Sequence, residues 1–357
     1  MNIVLAGPLP PPMGGDTRHF ATLVADLDAN AEYDVTLINT SRAGRFDDRM
    51  SNVKAALHTA VTLMAKAPRA DLVSFQSSDR AMVMFGPIVA TICRLWRTPY
   101  VFRLFGGSFG DFYRSAGRIQ QFVIRRFILS APTVLLQTHR QIGQLEANSS
   151  GRLEWFSTYI ELPPDHDRRL AGALAQRTGV CSRFVFLGHL WESKGIELIL
   201  ESSADLPADI TIDVYGPEDE YSGDEIDRRG NGRVTYRGFL THDEVYQRLW
   251  EYDCLLLPTS HPGEGYPGVI AEAHAHGMPV IATRWLAIPE IVDDDCGVLI
   301  EPRDASGLTE AMLALHADPD RWRRLCEGAS GRIANFDHQR WARKFESLCD
   351  ELVASRT

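Results

Sequence analysis

Short β-branched and apolar runs alternate with helical stretches along this chain, and the alternation starts afresh near its middle. In the first half, strands are expected at Ile3–Ala6, Val35–Asn39, Leu72–Phe75, Tyr100–Leu104 and Thr133–Gln137. Helices are expected between them, notably Thr17–Leu27 and Asp111–Ile128. The second half repeats the rhythm at Phe184–Leu187, Ile210–Tyr215, Val234–Arg237, Cys254–Leu257, Val280–Thr283 and Val298–Ile300. Strands joined through helices pair in parallel, because a crossover must return the chain to the same edge. The fold class is therefore α/β, with two Rossmann-like, doubly wound units in series. At 357 residues, each unit is long enough to bury its own core. The polar stretch from Pro163-Pro164 to about Thr178 is the expected link. It gives a first domain at 1–165, a second at 166–338, and a last helix within 339–357 expected to pack back toward the first domain.

Charge narrows the function classes. The net charge of −10 argues against a nucleic-acid partner, since phosphate backbones are held by excess Lys and Arg. Residues 1–165 carry 17 basic against 14 acidic side chains, and residues 166–357 carry 20 against 33, so the halves are expected to do different jobs. The six cysteines are far apart with no C-x-x-C pair, as expected of reduced, buried thiols in a cytoplasmic protein. Met1 leads straight into an apolar strand, so no signal peptide is expected. The longest apolar stretch, Ala81–Cys93, is too short to span a bilayer and reads as a core helix.

The segment from Gly263 to Glu272 reads G-E-G-Y-P-G-V-I-A-E, with two carboxylates across a loop-to-helix junction. Gly263, Gly265 and Pro267 keep Glu264 off any helix, and Glu272 falls within the first turns of the helix that follows. Such a junction offers unpaired N–H groups and the positive end of a helix dipole to an anion, most often phosphate. An ionised carboxylate accepts hydrogen bonds from sugar hydroxyls. Together these features point to a nucleotide-sugar site. Lys194, followed by Gly195 and set after the strand at Phe184–Leu187, is the candidate cation for a diphosphate, with His189 as a second donor; taken alone, Lys194 is also an ordinary helix-start lysine. Gly14-Gly15 follow the first strand, where a glycine lets backbone approach a ligand closely, although a tight loop accounts for them equally well. Phe105-Gly106-Gly107-Ser108, with Arg103 and Asp111 nearby, forms a candidate sugar-contacting loop. Gly238-Phe239-Leu240 is placed to frame a base.

The spacing of Gly188, Lys194-Gly195, Gly238, Glu264-x7-Glu272, Gly277-x-Pro279-Val280 and Ile288-Pro289-Glu290 closely resembles glycosyltransferase family four. The likeness covers Phe184 to about Leu352; the first half matches loosely, through Gly14-Gly15 and Pro99-Tyr100-Val101. That resemblance implies a GT-B fold with two Rossmann-like domains facing a central cleft. It also implies retaining chemistry on a nucleotide-diphosphate sugar such as a UDP- or GDP-sugar, with no cofactor and no metal. By the same resemblance, Glu264 would hold the donor sugar and Glu272 the ribose hydroxyls. Pro267, Gly268 and Val269 would line the diphosphate, the last two with amide N–H groups, Lys194 would offer its charge, and Gly15 would face the distal phosphate or the reacting centre. The acceptor, a glycan, glycolipid or small molecule, would approach through Gly14, Gly15, Arg103, Phe105 to Ser108 and Asp111.

Two positions depart from the family pattern. His189 stands where the family usually has Arg, so one donor replaces a guanidinium fork. Phe105 stands where an imidazole often contacts a hexose 6-hydroxyl. A phenyl ring would leave that hydroxyl unpaired, which implies a donor without it, such as a 6-deoxyhexose or a pentose. Alternative readings are an epimerase or phosphorylase of the same fold, and a catalytically silent nucleotide-sugar-binding subunit. Asp293-Asp294-Asp295 and Asp318-Pro319-Asp320 read as solvated turns rather than metal sites, and His274 and His276 as core or helix-face residues. The stretch Asp111–Ile128, rich in Arg and apolar residues, reads equally as an ordinary surface helix or as a helix that docks on an anionic membrane face. A peripheral position on the inner membrane face is thus a candidate location.

Overall fold

The computed structural model describes residues 1–11, 14–41 and 49–355. They form two compact units. One comprises Met1–Thr158 with Gln339–Thr357, the other Tyr159–His338.

The first unit is built on a parallel sheet of β1 (Asn2–Gly7), β2 (Asp34–Asn39), β3 (Leu72–Ser78), β4 (Tyr100–Phe105), β5 (Thr133–Leu136) and β6 (Arg152–Trp155), in the order β2-β1-β3-β4-β5-β6. The sixth strand was not expected. Its four residues, R-L-E-W, pair at the sheet edge with β5 and are too few and too polar to stand out by pattern. Alternate residues of the central strands (Val73 and Phe75, Phe102 and Leu104, Val134 and Leu136) share one core with Leu63, Met82, Phe85, Val89, Ile124 and Ile128. The helices Arg49–Lys66 and Asp79–Trp96 and the helical stretch Arg118–Ile128 therefore lie on one face of this sheet. As expected, Ala81–Cys93 belongs to a core helix. The expected single helix over Asp111–Ile128 is instead divided: Phe109–Ser115 ends before Ala116-Gly117, and Arg118–Val123 runs into a π turn over Ile124–Ile128. Gly117 at the N-cap, in extended conformation, makes the break.

The C-terminal helix, His338–Ala354, buries Trp341, Phe345, Leu348, Cys349 and Leu352. Trp341 meets Trp155 and Phe156 edge-on, and Lys344 donates to the Trp155 carbonyl at 2.6 Å. The last helix is thus structurally part of the first unit.

The second unit carries β7 (Arg183–Leu187), β8 (Thr211–Tyr215), β9 (Val234–Tyr236), β10 (Cys254–Leu257), β11 (Val280–Thr283) and β12 (Gly297–Ile300) in one parallel sheet, ordered β12-β11-β10-β7-β8-β9. Strand order reverses between β7 and β10, and ligands of open α/β sheets bind beyond the carboxyl ends of such a pair. The expected link does not run as a polar connector. His166–Gln176 is a helix whose Leu174 packs on the core of this unit, and Arg177 donates to the His276 carbonyl at 2.9 Å. An apolar face alternating with Arg and Asp explains both the polar composition and the helix.

Candidate functional site

The loops leaving β7 and β10 meet at the point where strand order reverses. Gly195 has φ +93, and a Cβ there would sit 2.4 Å from the Pro258 carbonyl oxygen. Only glycine lets the two loops lie this close. That contact brings Lys194 over the second loop, where its ammonium donates to Glu264 Oε1. The pair is enclosed, with side chains 17% and 7% exposed. Thr259 Oγ1 lies 3.0 Å from the same carboxylate oxygen and accepts from the His261 amide at 3.1 Å. The single Thr259 hydroxyl proton has the Ser193 carbonyl at 3.2 Å as a second acceptor, while the Lys194 ammonium meets Oε1, so Oε2 is the oxygen left for a further donor. Thr259, Ser193 and His261 were not singled out by sequence; Ser193 Oγ and His261 Nδ1 lie 3.1 Å apart beside the pair.

His189 stacks on Trp191, with ring centroids 4.3 Å apart, and Trp191 donates to Asp219 at 2.7 Å. Burial, with Lys194 nearby, holds the His189 imidazole below its ordinary pKa. His261 is lowered for the same two reasons. Both rings are thus neutral near pH 7, and Lys194 is the fixed positive charge among them.

Glu264 lies in a turn, as expected, and the helix Gly268–Ala275 starts after Pro267. Its first N–H groups precede any intrahelical acceptor. Glu272 lies one turn in, its carboxylate 3.5 Å from His242 Nδ1. His242 opens the helix His242–Arg248, directly after the loop of Gly238, Phe239 and Leu240. Gly238 has φ +90, and Phe239 is 64% exposed while Leu240 packs on the core. His276 is a core residue: its ring nitrogens lie 2.7 Å from the Glu272 carbonyl and 2.8 Å from the Tyr246 carbonyl. It ties the helix of Glu272 to that of His242. His274 is wholly buried, and neither of its ring nitrogens has a hydrogen-bond partner among the described residues. Tyr266, buried in the same loop, donates to Glu290.

In the first unit, Gly14 caps the helix Gly15–Ala29 and Gly15 faces the Phe105 ring. Phe105 also meets His19, with centroids 5.2 Å apart. The Gly106 amide and carbonyl are held by Gln137 at 3.2 Å and Gln141 at 2.9 Å, Gly107 is buried, and Ser108 donates to Asp79. Burial pushes the Asp79 carboxyl up to about 6. Two expected contact residues are placed otherwise. Arg103 is 3% exposed, with its guanidinium over the Phe156 ring, 4.5 Å from the centroid. Asp111 is held by Arg140 at 2.6 and 3.1 Å and by Gln144 at 3.2 Å, joining two helices. Position near a glycine loop did not reveal that Arg103 lies over an aromatic ring and that Asp111 joins two helices. Of the acidic runs, Asp293 receives Arg332, and Asp318 caps the helix Pro319–Gly331 through the Arg321 amide.

The second unit carries the family signal. Residues 181–318 match the family model described as glycosyl transferases group 1. The matched segment includes Lys194, Glu264 and Glu272 with the strands that place them. Curated relatives include the glycogen synthase of Mycobacterium tuberculosis, 28% identical over 174 residues, which are 46% of this chain and 41% of that protein. Another is the MMP alpha-(1->4)-mannosyltransferase of Mycolicibacterium hassiacum, 35% identical over 117 residues, 32% of this chain and 26% of the relative. The chain thus spans less than half the length of these relatives. Among solved structures, the sucrose-phosphate synthase of Thermosynechococcus elongatus superposes with a TM-score of 0.75 at 17% identity, covering 99% of both chains. Anabaena HepE in complex with UDP gives 0.72 at 16%, covering 98% of this chain and all of the other. At these identities the likeness is one of fold, and it extends over both units: two Rossmann-like domains of the GT-B kind.

Proposed function

We propose that the protein is a retaining, metal-independent glycosyltransferase that moves a sugar from a nucleotide diphosphate to a glycan, lipid-linked or small-molecule acceptor, in bacterial polysaccharide or glycoconjugate synthesis. The observation that carries this reading is the enclosed Lys194–Glu264 pair, set beside a helix amino end where the sheet reverses order. Departure of a nucleoside diphosphate builds negative charge on the phosphate, and fixed donors there lower the barrier. Lys194, with the amides of Gly268 and Val269, supplies them. Glu264 keeps Oε2 for a hydroxyl of the donor sugar, and Glu272 takes the ribose hydroxyls. His189 adds one neutral donor, and Gly238, Phe239 and Leu240 border the base. In the first unit, Gly14, Gly15, Phe105 and the loop to Ser108 take the acceptor side. Front-face attack, with the leaving phosphate oxygen accepting the acceptor's proton, gives retention without a separate base.

The similar fold of Anabaena HepE, solved in complex with UDP and with UDP-glucose, favours a uridine donor. Phe105 favours one without a 6-hydroxyl. The six cysteines are free and buried, in keeping with a cytoplasmic site of action. No helix of the described residues is long and apolar enough to cross a membrane. The deciding experiment follows nucleoside diphosphate release from a panel of UDP- and GDP-sugars with and without acceptor. Acceptor-dependent release, reduced about two to three powers of ten in Lys194→Ala and Glu264→Ala, supports transfer. Epimerisation of the donor sugar without net diphosphate release supports instead an epimerase, cleavage that depends on inorganic phosphate supports a phosphorylase, and binding without turnover supports a silent subunit.

A further inference from the structure

We propose that the outer surface of the helical layer on the first unit docks on an anionic lipid bilayer. Ten large hydrophobic side chains are exposed among the described residues, and seven of them lie on this layer: Leu57, Val61, Met64, Leu95, Trp96, Ile119 and Phe122. Ile119 is 83% exposed and Phe122 59%, so the expected buried stripe of this helix lies elsewhere, at Ile124 and Ile128. The three helical stretches are neighbours. Trp96 Nε1 lies 3.2 Å from the Met64 sulfur, and Arg94 donates to the Arg126 carbonyl at 3.0 Å. Their inner sides fill one core against the sheet, so the side chains left exposed point away from it.

Charge decides what covers this surface. The helices Arg49–Lys66 and Asp79–Trp96 and the stretch Arg118–Ile128 together hold eight Lys and Arg against one acid, Asp79, which receives Ser108 at a helix start, in a chain of net charge −10. Lys54, Lys66, Arg97, Arg118, Arg125 and Arg126 are exposed among the apolar side chains. A second copy of the same face would set these cations against each other with no counter-charge. An anionic headgroup layer supplies that charge, and the acyl boundary beneath it takes the apolar tips. Scattered exposed apolar residues need no explanation, but apolar residues concentrated on one predominantly basic face do.

The test is co-sedimentation of the full chain with vesicles of phosphatidylcholine alone and of phosphatidylcholine with phosphatidylglycerol, at low and high salt. The expected result is pelleting with anionic vesicles only, weakened by salt. Ile119→Ser with Phe122→Ser should lower partitioning roughly ten-fold. Arg118→Gln, Arg125→Gln and Arg126→Gln should each lower it about five-fold. All these positions are exposed, and circular dichroism melting confirms that each variant folds. Three results overturn the proposal: no pelleting with either vesicle, equal pelleting with both, or a lipid-free dimer dispersed by the Ile119/Phe122 variant in the absence of vesicle binding. The measurement needs no turnover, so it stands or falls apart from the glycosyltransferase reading.

Discussion

Lys194 donates to Glu264 across 70 positions of sequence, and the contact exists because Gly195 lets the β7 loop rest on Pro258. Without ligand, the cation and the carboxylate satisfy each other. A bound diphosphate would compete for the ammonium, so the strength of this pair depends on what occupies the site.

Removing one partner leaves the other charge enclosed. Lys194→Met and Glu264→Gln should each destabilise the folded protein by about 3 kcal/mol, and the double variant by less than the sum. Thermal or denaturant unfolding gives the cycle. If Lys194 grips the diphosphate, the coupling energy shrinks when the cycle is repeated in saturating UDP; an unchanged coupling removes that role.

Two glycines make opposite predictions. A Cβ on Gly15 would rest 3.5 Å from the Phe105 ring, an ordinary contact, so Gly15→Ala should fold with little change in melting temperature yet lose activity at least ten-fold. Gly195→Ala requires an alanine at φ +93 against a carbonyl oxygen. It should cost about 2 kcal/mol or more and displace Lys194 as well. Comparing melting with turnover separates the two; equal behaviour contradicts the assignment of Gly15 to a ligand.

The buried histidines set a pH limit. Burial holds His274 down to about 3 and His276 to about 4, below the 6.5 of an exposed imidazole. Between those values the unfolded chain binds protons that the folded one refuses, so stability is full above about pH 6.5 and falls as pH drops. Each ring contributes a slope of up to about 1.4 kcal/mol per pH unit. Unfolding midpoints measured from pH 7 to 4 should fall, and His276→Gln should flatten the decline even if it lowers stability at neutral pH.

His189 is also held below its ordinary value, by burial and Lys194. A phosphate beside the ring would favour its charged form, so UDP should bind more tightly as pH falls below about 6.5. His189→Gln should lose that dependence in calorimetric titrations at two pH values. Parallel pH dependence in both proteins removes His189 from the phosphate site.

Phe105 provides the donor test. Turnover with UDP-xylose or a 6-deoxyhexose donor should exceed turnover with UDP-glucose, and Phe105→His should narrow the difference. A clear preference for UDP-glucose in the native protein refutes the inference from the ring.

Eleven of the strands are legible as β-branched runs, because parallel strands buried on both faces are continuously apolar. The edge strand Arg152–Trp155 has no such signature, and the link read as polar is a helix because its Leu170 and Leu174 sit among Arg and Asp. The placement of Lys194 and Glu264 on loops and of Glu272 on a helix was readable because glycine and proline punctuate fixed positions around them. Thr259 and His261 were not, since a threonine that steadies a carboxylate looks like any threonine after a strand. Arg103 and Asp111 show the converse: a charge beside a glycine loop is as readily claimed by an aromatic ring or a neighbouring helix as by a substrate.

The first unit is discontinuous, closed by the helix His338–Ala354 against Trp155 and Phe156. A ribosome delivers Tyr159–His338 whole before that closing piece emerges, so the inserted unit is free to fold while its host still waits. Truncation after residue 338 would remove no part of the segment 181–318 that matches the family model and yet strip the bed of Trp341, leaving an apolar strip open to chaperones and proteases.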